Sequence, residues 1–470
     1  MESLRPLGAA KEVTGSANLL ITNKGNRYLI DYGMFQGREK RSLTDDGMPQ
    51  DQRSNFQRNK EVDPALDNLS AIFITHAHLD HIGRLPLLYK SEAPIYMTPA
   101  TYEIAGVALR NAAKLSRGLY PPGSVEATLK KIHCVEYDRP IKVNDVTVTF
   151  RDAGHILGSA SIEIQEENGD KIVFSGDLGN SPSRIVRPTA LIDHANILVT
   201  ESTYGNRLHS AEDPSEVLLD AYKRISNSRG TLLIPGFAID RTQIMLNLIK
   251  GLHEHSDDKI RRLVKDIPVY LDSPMAIDVT EIYKRYKNLL NDRLRSQDKP
   301  FHFERLEYTR NQEKSMKINA IRGPKVIIAG SGMMNGGRIG YHALRYLPDP
   351  RSVIMLVGYT AEGTPSRAIL DKEKTVELEI NGNIYDVSNN LTVLHTSSLS
   401  AHADQNGLRT YAENIYGGQE PLRDIVVLHG DDESRVGLRD DFVAAGIDSR
   451  ISLPKYGEIV NFHSNGGPAE

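Results

Sequence analysis

Tryptophan is absent, cysteine occurs once, and phenylalanine is held to 10 residues in a chain of 470. A single cysteine forbids an intrachain disulfide and excludes a thiolate metal cluster, so Cys134 reads as a small buried hydrophobe. Long apolar runs are also missing. No stretch approaches the roughly 18 residues of a membrane span, and the opening segment MESLRPLGAAKEVTGSANLL has no basic patch followed by an apolar one. The expected location is the cytoplasm, with no membrane partner. Excess positive charge is lacking as well: a formal net charge of −4 removes bulk basicity as a sign of a nucleic-acid partner. Local clusters at GREKR (37–41) and KIRR (259–262) read as solvated faces.

What is present is concentrated. In AIFITHAHLDHIGRLP (71–86) an apolar, β-branched run leads directly into three histidines and an aspartate. A strand that only had to pack would leave its sheet through Gly, Pro, Asn or Ser, and crowding imidazoles and a carboxylate at a buried sheet end costs free energy. In an extended segment His76 and His78 project to one side, while Asp80 and His81 follow in a turn that can open a helix with Asp80 as its cap. Imidazole and carboxylate at this density match a transition-metal site.

At 470 residues the chain exceeds one ordinary core, and two to three domains are expected. Strand-like segments recur: NRYLIDYG, LSAIFITHA, APIYMT, VTVTFRDAGH, SASIEIQ, DKIVFSGDLG and ANILVTESTYG. Asp31, His76, His155, Asp177 and Glu201 each sit just past such a segment, where open α/β sheets build their sites. After Tyr204 the pattern shifts to amphipathic helices, PSEVLLDAYKRISNS and RTQIMLNLIKGLHEHS, interleaved with the strands GTLLIPG, IPVYLDS, KVIIAGSG and SVIMLVGY. Strand-plus-ligand signals resume at NNLTVLHTSSLSAHAD and DIVVLHGDDES. A domain inserted into a host sheet explains the return, giving 1–205 and 393–470 as host and 206–392 as insert.

Further motifs complete the set: DAGHILGS, FSGDLG, TESTYG, SAHAD with His402 and VVLHGDDES with His429. With HAHLDH and LIDYGMFQG they resemble the metallo-β-lactamase superfamily in its β-CASP branch of RNA- and DNA-processing nucleases, across essentially the whole chain. GFAIDRTQ, LDSPMA and GSGMMNGGR resemble blocks of the inserted domain in that branch. The resemblance implies an α/β fold, an αββα sandwich carrying an inserted α/β β-CASP domain. It implies that His76, His78 and His155 hold one metal, that Asp80, His81 and His429 hold a second, and that Asp177 bridges them. Two ions so held activate a hydroxide and neutralise charge growing on an attacked phosphate. Asp31 is expected behind a ligand histidine, on its other ring nitrogen. Glu201 and His402 are expected to pair, the carboxylate fixing the tautomer and raising the basicity of a histidine that protonates the leaving ribose oxygen. Asp80, Glu201 and His402 thus form the expected catalytic set. The default cofactor is two Zn2+ per chain, with Mn2+ admitted by the carboxylates.

GSGMMNGGR is no dinucleotide fingerprint, because Asn335 occupies the third glycine position. It reads as a tight turn whose backbone N–H groups, at Ser331 and Gly332, join Arg338 at an RNA phosphate, with Arg241 of GFAIDRTQ a second candidate. The sequence departs from the branch after His429-Gly430, where Asp431 and Asp432 stand in place of the common Glu. Four activities were weighed: an RNA phosphodiesterase leaving 5′-phosphate and 3′-hydroxyl, a DNA-processing nuclease, a small-molecule hydrolase and an inactive scaffold. Histidine at 429, where DNA-directed members carry an apolar residue, favours RNA. An insert of nearly 190 residues suits a polymer, and the full ligand set argues against a dead scaffold. SLSAHAD and HAHLDH resemble cleavage-and-polyadenylation-type endonucleases more than RNase J, so an endonuclease is expected, with 5′-to-3′ exonuclease activity the alternative. The expected partner is single-stranded RNA; a homo-oligomer stays open.

Overall fold

The computed structural model describes residues 1–37, 54–116, 118–358, 360–418 and 420–462. The GREKR cluster lies outside the described residues beyond Gly37. The chain forms two compact units, one from Met1–Leu208 with Ala401–Glu470 and the other from His209–Ser400.

The first unit holds two seven-stranded sheets. One runs Val460–Asn461, Ser3–Pro6, Asn18–Ile21, Arg27–Ile30, Ala71–Phe73, Ile95–Met97, Ile132–Cys134; the other runs Arg450–Ser452, Asp424–Val427, Ile197–Thr200, Lys171–Phe174, Ala160–Glu166, Val146–Asp152, Ile141–Val143. Their inner faces share one core in which Leu20, Tyr28, Phe73, Val148, Phe150, Ile162, Ile172 and Val199 are buried. Phe73 sits at its centre, stacked 5.7 Å from Tyr28 and edge-on 6.4 Å from Phe150. Burying one such ring contributes about 1.5–3 kcal/mol. The outer face of the second sheet is covered by helices Gln405–Tyr416 and Asp432–Ala444 through Leu408, Tyr411, Ile415, Leu438 and Phe442. Asp431, the departure after His429-Gly430, caps the second helix: its Oδ1 accepts the Ser434 N–H at 2.8 Å.

Two features of the sheets decide where chemistry can be built. Ala71–Phe73 is paired in parallel on both sides and is wholly buried, which is why its sequence is apolar without alternation. Lys171–Phe174, Ile197–Thr200 and Asp424–Val427 are mutually parallel, so their carboxyl ends emerge together.

The second unit is built on a six-stranded, all-parallel sheet in the order Leu306–Tyr308, Val269–Leu271, Lys325–Ala329, Thr231–Pro235, Val353–Val357, Thr392–Thr396. A hairpin, Thr375–Ile380 with Asn383–Ser388, packs on it. Thr392–Thr396, expected at the return to the host, pairs instead with Val353–Val357 along its whole length and so belongs to this sheet. The helix carrying the KIRR cluster, Asp258–Val264, buries only Val264, as a solvated face does. Cys134 is corrected from the buried place expected of it: it is exposed, because Ile132–Cys134 is an edge strand. Among the described residues no helix is long and apolar enough to cross a membrane.

Candidate metal centre

Six strand ends of the first unit deliver six of its polar side chains. Arg27–Ile30 leads to Asp31, Ala71–Phe73 to His76, Val146–Asp152 to His155, Lys171–Phe174 to Asp177, Ile197–Thr200 to Glu201, and Asp424–Val427 to His429. After His76 the chain stays extended to His78, which starts the short helix Leu79–Ile82; Asp80 therefore lies in the first turn, whereas the sequence suggested it as the cap. This turn lies flat against Gly33, where a Cβ would come within 1.5 Å of the Asp80 carbonyl oxygen. Glycine in LIDYGMFQG is a requirement of that close approach.

The side chains converge in two groups around one carboxylate. His76, His78, His155 and Asp177 each present an atom within 4.8 Å of the others, as do Asp80, His81 and His429. His78 Nδ1 lies 3.1 Å from His76 Nε2 and 3.3 Å from His155 Nε2. His81 Nε2 lies 3.0 Å from His429 Nε2, and Asp80 Oδ2 is 3.9 Å from the latter. Asp177 divides its oxygens: Oδ2 stands 3.4 Å from His76 Nε2 and 3.7 Å from His155 Nε2, while Oδ1 stands 3.3 Å from His81 Nε2. Oδ1 is buried and, among the described residues, accepts no hydrogen bond of good geometry. Ligands about 2.0–2.1 Å from a tetrahedral ion are about 3.3–3.4 Å apart, and buried imidazole nitrogens facing one another at that spacing fit divalent cations. The donor set, nitrogen with carboxylate oxygen and no sulfur, suits zinc or manganese.

Behind the convergent atoms a further layer fixes the rings. Asp31 Oδ2 is 2.7 Å from His81 Nδ1, the nitrogen turned away from the other convergent atoms. The same carboxylate accepts the Thr75 hydroxyl at 2.8 Å and the Thr75 N–H at 2.8 Å, and Thr75 Oγ1 in turn meets His76 Nδ1 at 3.1 Å. Thr203 Oγ1 meets His429 Nδ1 at 3.2 Å, while the His429 N–H donates to Ala9 O at 2.7 Å and holds the residue at φ +51°. Neither threonine was predicted. The only signal for them was adjacency, Thr75 immediately before His76 and Thr203 two residues after Glu201.

The electrostatics suit cation capture. Burial drives His76 well below the ordinary histidine value and takes His78 down to about 4, so both offer neutral rings. For His81 burial pulls the same way, but the carboxylates of Asp177 and Asp31 outweigh it and hold its pKa well above the usual value. Asp177 is pushed up by burial and pulled further down by His429 and His81, so it stays ionised.

Glu201 and His402 form a third group with Asp177. Residues 401–403 run antiparallel to 178–180: Asn180 N donates to Ala401 O at 2.8 Å and Ala403 N to Leu178 O at 2.7 Å. That bridge places His402 Nδ1 3.0 Å from Glu201 Oε2, while His402 Nε2 is 3.9 Å from Asp177 Oδ2. Glu201 is itself fixed, Oε1 accepting Leu178 N at 2.7 Å and Oε2 accepting Thr203 N at 3.3 Å. His402 keeps 18% of its side chain exposed against 1% for Glu201, so this histidine is reachable from outside and its partner is not.

The residues expected at an RNA phosphate lie in the second unit. Arg338 Nη1 donates to Asp272 Oδ1 at 2.6 Å and to Thr309 O at 2.8 Å, and Nη2 to Arg310 O at 2.8 Å. These protein oxygens make anchoring of the GSGMMNGGR turn its visible occupation. Asp272 is fully buried and also receives His342 Nε2 at 2.8 Å and Ser315 Oγ at 2.5 Å. Burial raises its pKa, but the bonds from His342, Ser315 and Arg338 prevail and hold it below the usual carboxylate value. His342 is part of this network, its Nδ1 lying 3.0 Å from Asn319 Oδ1. Arg241 Nη1 pairs with Asp240 Oδ2 at 2.6 Å, and Ser331 Oγ turns inward to Gly336 O at 3.4 Å. Gly332 supports Phe237.

The metallo-beta-lactamase superfamily model matches residues 12–233 and the Beta-Casp domain model residues 243–369. The chain is 34% identical over 464 residues to ribonuclease TTHA0252 of Thermus thermophilus, covering 97% of this chain and 99% of that protein. It is 31% identical to the transcription termination factor FttA of Methanosarcina mazei, over 92% of this chain and 67% of that one. It is 27% identical to cleavage and polyadenylation specificity factor 73 of Drosophila melanogaster, over 98% and 65% respectively. Among solved structures, a protein of unknown function from Enterococcus faecalis V583 shares the fold with a TM-score of 0.56 and 14% identity, over 98% of this chain and 100% of that one.

Proposed function

This chain belongs to the metallo-β-lactamase superfamily and carries its Beta-Casp domain, and from that premise we propose that it is a metal-dependent ribonuclease cutting single-stranded RNA. The observation that carries the reading is the division of Asp177, Oδ2 toward one group of histidines and Oδ1 toward the other, with the Glu201–His402 pair alongside. His76, His78, His155 and Asp177 would hold one divalent cation, and Asp80, His81, His429 and Asp177 the second, zinc being the expected ion. Cations held there supply Lewis acidity toward a phosphodiester and lower the pKa of water.

The chain's own residues do the rest. Asp31 and Thr75 orient His81 and His76 through their outer nitrogens, and Thr203 meets His429 Nδ1, which also lies 3.7 Å from Asp177 Oδ1. Glu201 accepts from His402 Nδ1 and so leaves Nε2 to deliver a proton. The water gives up one proton to bulk solvent as its oxygen bonds to phosphorus, the phosphorus–oxygen bond to the ribose 3′ position breaks, and His402 Nε2, reprotonated from solvent between turnovers, gives the departing oxygen its proton. The products are a 5′-phosphate and a 3′-hydroxyl. An internal cut is supported by the likeness of SLSAHAD and HAHLDH to cleavage-and-polyadenylation-type endonucleases. A cytoplasmic location is supported by the lone cysteine.

Elemental analysis of protein purified without added metal, paired with cleavage of 5′-labelled and 3′-labelled single-stranded RNA, tests this. About two bound cations per chain and internal fragments from both labels are expected. Metal-loaded protein that leaves RNA intact would overturn the reading, and mononucleotides released from the 5′ end would replace the internal cut by stepwise removal.

A further inference from the structure

Phe237 is a large aromatic residue left 37% exposed in the inserted unit. It follows the strand Thr231–Pro235, and beside it lies the turn that follows the parallel neighbour Lys325–Ala329. One side of the ring rests on the Gly332 backbone, where a Cβ would come within 2.5 Å of Cε2 and 2.6 Å of Cδ2. Any side chain at 332 would therefore lift or displace the ring. The supporting loop is pinned: Gly236 N donates to Ala329 O at 3.0 Å, Thr242 Oγ1 to Phe237 O at 2.7 Å, and Gln243 Nε2 to Ala238 O at 3.2 Å. Scattered exposed hydrophobics are ordinary, but a ring set close against glycine backbone, on a braced loop at the carboxyl end of a parallel sheet, is a preorganised surface where such sheets bind ligands.

We infer that Phe237 is a stacking platform for one nucleobase of single-stranded RNA. This rests on the ribonuclease reading above and names a subsite that reading does not contain. A flat apolar face of this size matches a base, and stacking accepts any base because each has a π-face. A platform braced in advance spends little conformational entropy when the base arrives. The subsite therefore contributes affinity and registers the strand without reading its sequence.

The absence of tryptophan makes the test direct, since Phe237→Trp introduces the chain's sole indole. Holoenzyme of this variant is mixed in stopped flow with a single-stranded RNA oligonucleotide, and separately with an abasic oligonucleotide of equal length, with fluorescence followed before turnover. Quenching by RNA and little by the abasic strand is expected. Phe237→Ala and Phe237→Leu should weaken RNA binding roughly 5- to 100-fold, Phe237→Trp should not, and all three should keep the parent melting temperature. Equal quenching by the abasic strand, or Phe237→Ala binding RNA within twofold of the parent, overturns the platform while the ribonuclease reading stands. A parent enzyme that binds no RNA overturns both.

Discussion

His402 holds Glu201 through Nδ1, 3.0 Å from Oε2, and this leaves its other ring nitrogen on the side of Asp177, 3.9 Å from Oδ2. His429 occupies the opposite role, with Nε2 3.0 Å from His81 Nε2 among the cation-binding atoms. Two histidines alike in sequence are thus expected to fail differently.

His402→Ala is expected to keep its metal while losing about 10²- to 10⁴-fold in the cleavage step, the scale of general acid catalysis. His429→Ala should lose metal and recover part of its rate at high divalent concentration. An RNA whose bridging 3′ oxygen is replaced by sulfur has a leaving group that needs no proton. It should restore His402→Ala far more than His429→Ala. Metal analysis and single-turnover rates on both substrates check this, and a metal-depleted His402→Ala would contradict it.

Asp177→Ala removes the carboxylate whose Oδ2 faces His76 and whose Oδ1 faces His81. Metal content should fall for both cations together, and cleavage should vanish. Full activity in a variant that retains its metal, measured by elemental analysis beside the RNA assay, would defeat the shared-carboxylate reading.

Asp31→Asn and Thr203→Val touch no expected reacting atom, yet each alters the partner of a ring nitrogen in a proposed ligand histidine. Metal affinity should drop roughly 10- to 100-fold in each. At saturating metal most of the rate should return, which competition titration with a chelator followed by assay would reveal. A rate that stays low at full occupancy would assign these residues another role.

Asp152, the residue that opens the DAGHILGS segment, is raised to about 6 by burial, partly offset by Arg187, whose Nε and Nη2 lie 2.9 and 2.8 Å from its Oδ2. Its unfolded value is about 4. A carboxyl easier to protonate folded than unfolded contributes stability that is full below pH 4 and is lost as pH rises through 6. Relative to the parent, Asp152→Asn should therefore gain about 2–3 kcal/mol between pH 4 and pH 6. Denaturant midpoints across that range read the slope, which is independent of the constant cost of losing the Arg187 pair.

The site was legible where its chemistry is written locally. HAHLDH and the segments around Asp31, His155, Asp177, Glu201 and His429 stood out because each follows an apolar strand, and burying such groups makes sense only with partners; the place of Asp31 behind a histidine came with the family resemblance. What stayed hidden depends on pairing across the chain. Thr75 and Thr203 carry hydroxyls that any loop could hold, and only three-dimensional contact with His76 and His429 gives them a role. Asp272 and His342 are 70 residues apart, so neither marks the other. Thr392–Thr396 looks like a host strand by composition, since both kinds of sheet use the same β-branched residues; its partner Val353–Val357 decides its place. Cys134 was misjudged because average burial of cysteine says nothing about an edge strand.

The order of residues along the chain sets a timetable for biosynthesis. His76, His78, His155, Asp177 and Glu201 leave the ribosome ahead of His209–Ser400, whereas His402 and His429 follow it. At roughly 5–20 residues per second the insert alone takes about 10 to 40 s to synthesise. Throughout that interval the nascent host has one histidine group but neither the proposed proton donor nor the last proposed ligand. On the proposed reading, a message under translation, the nearest single-stranded RNA to the emerging chain, meets a complete site only after residues 401–429 have been made.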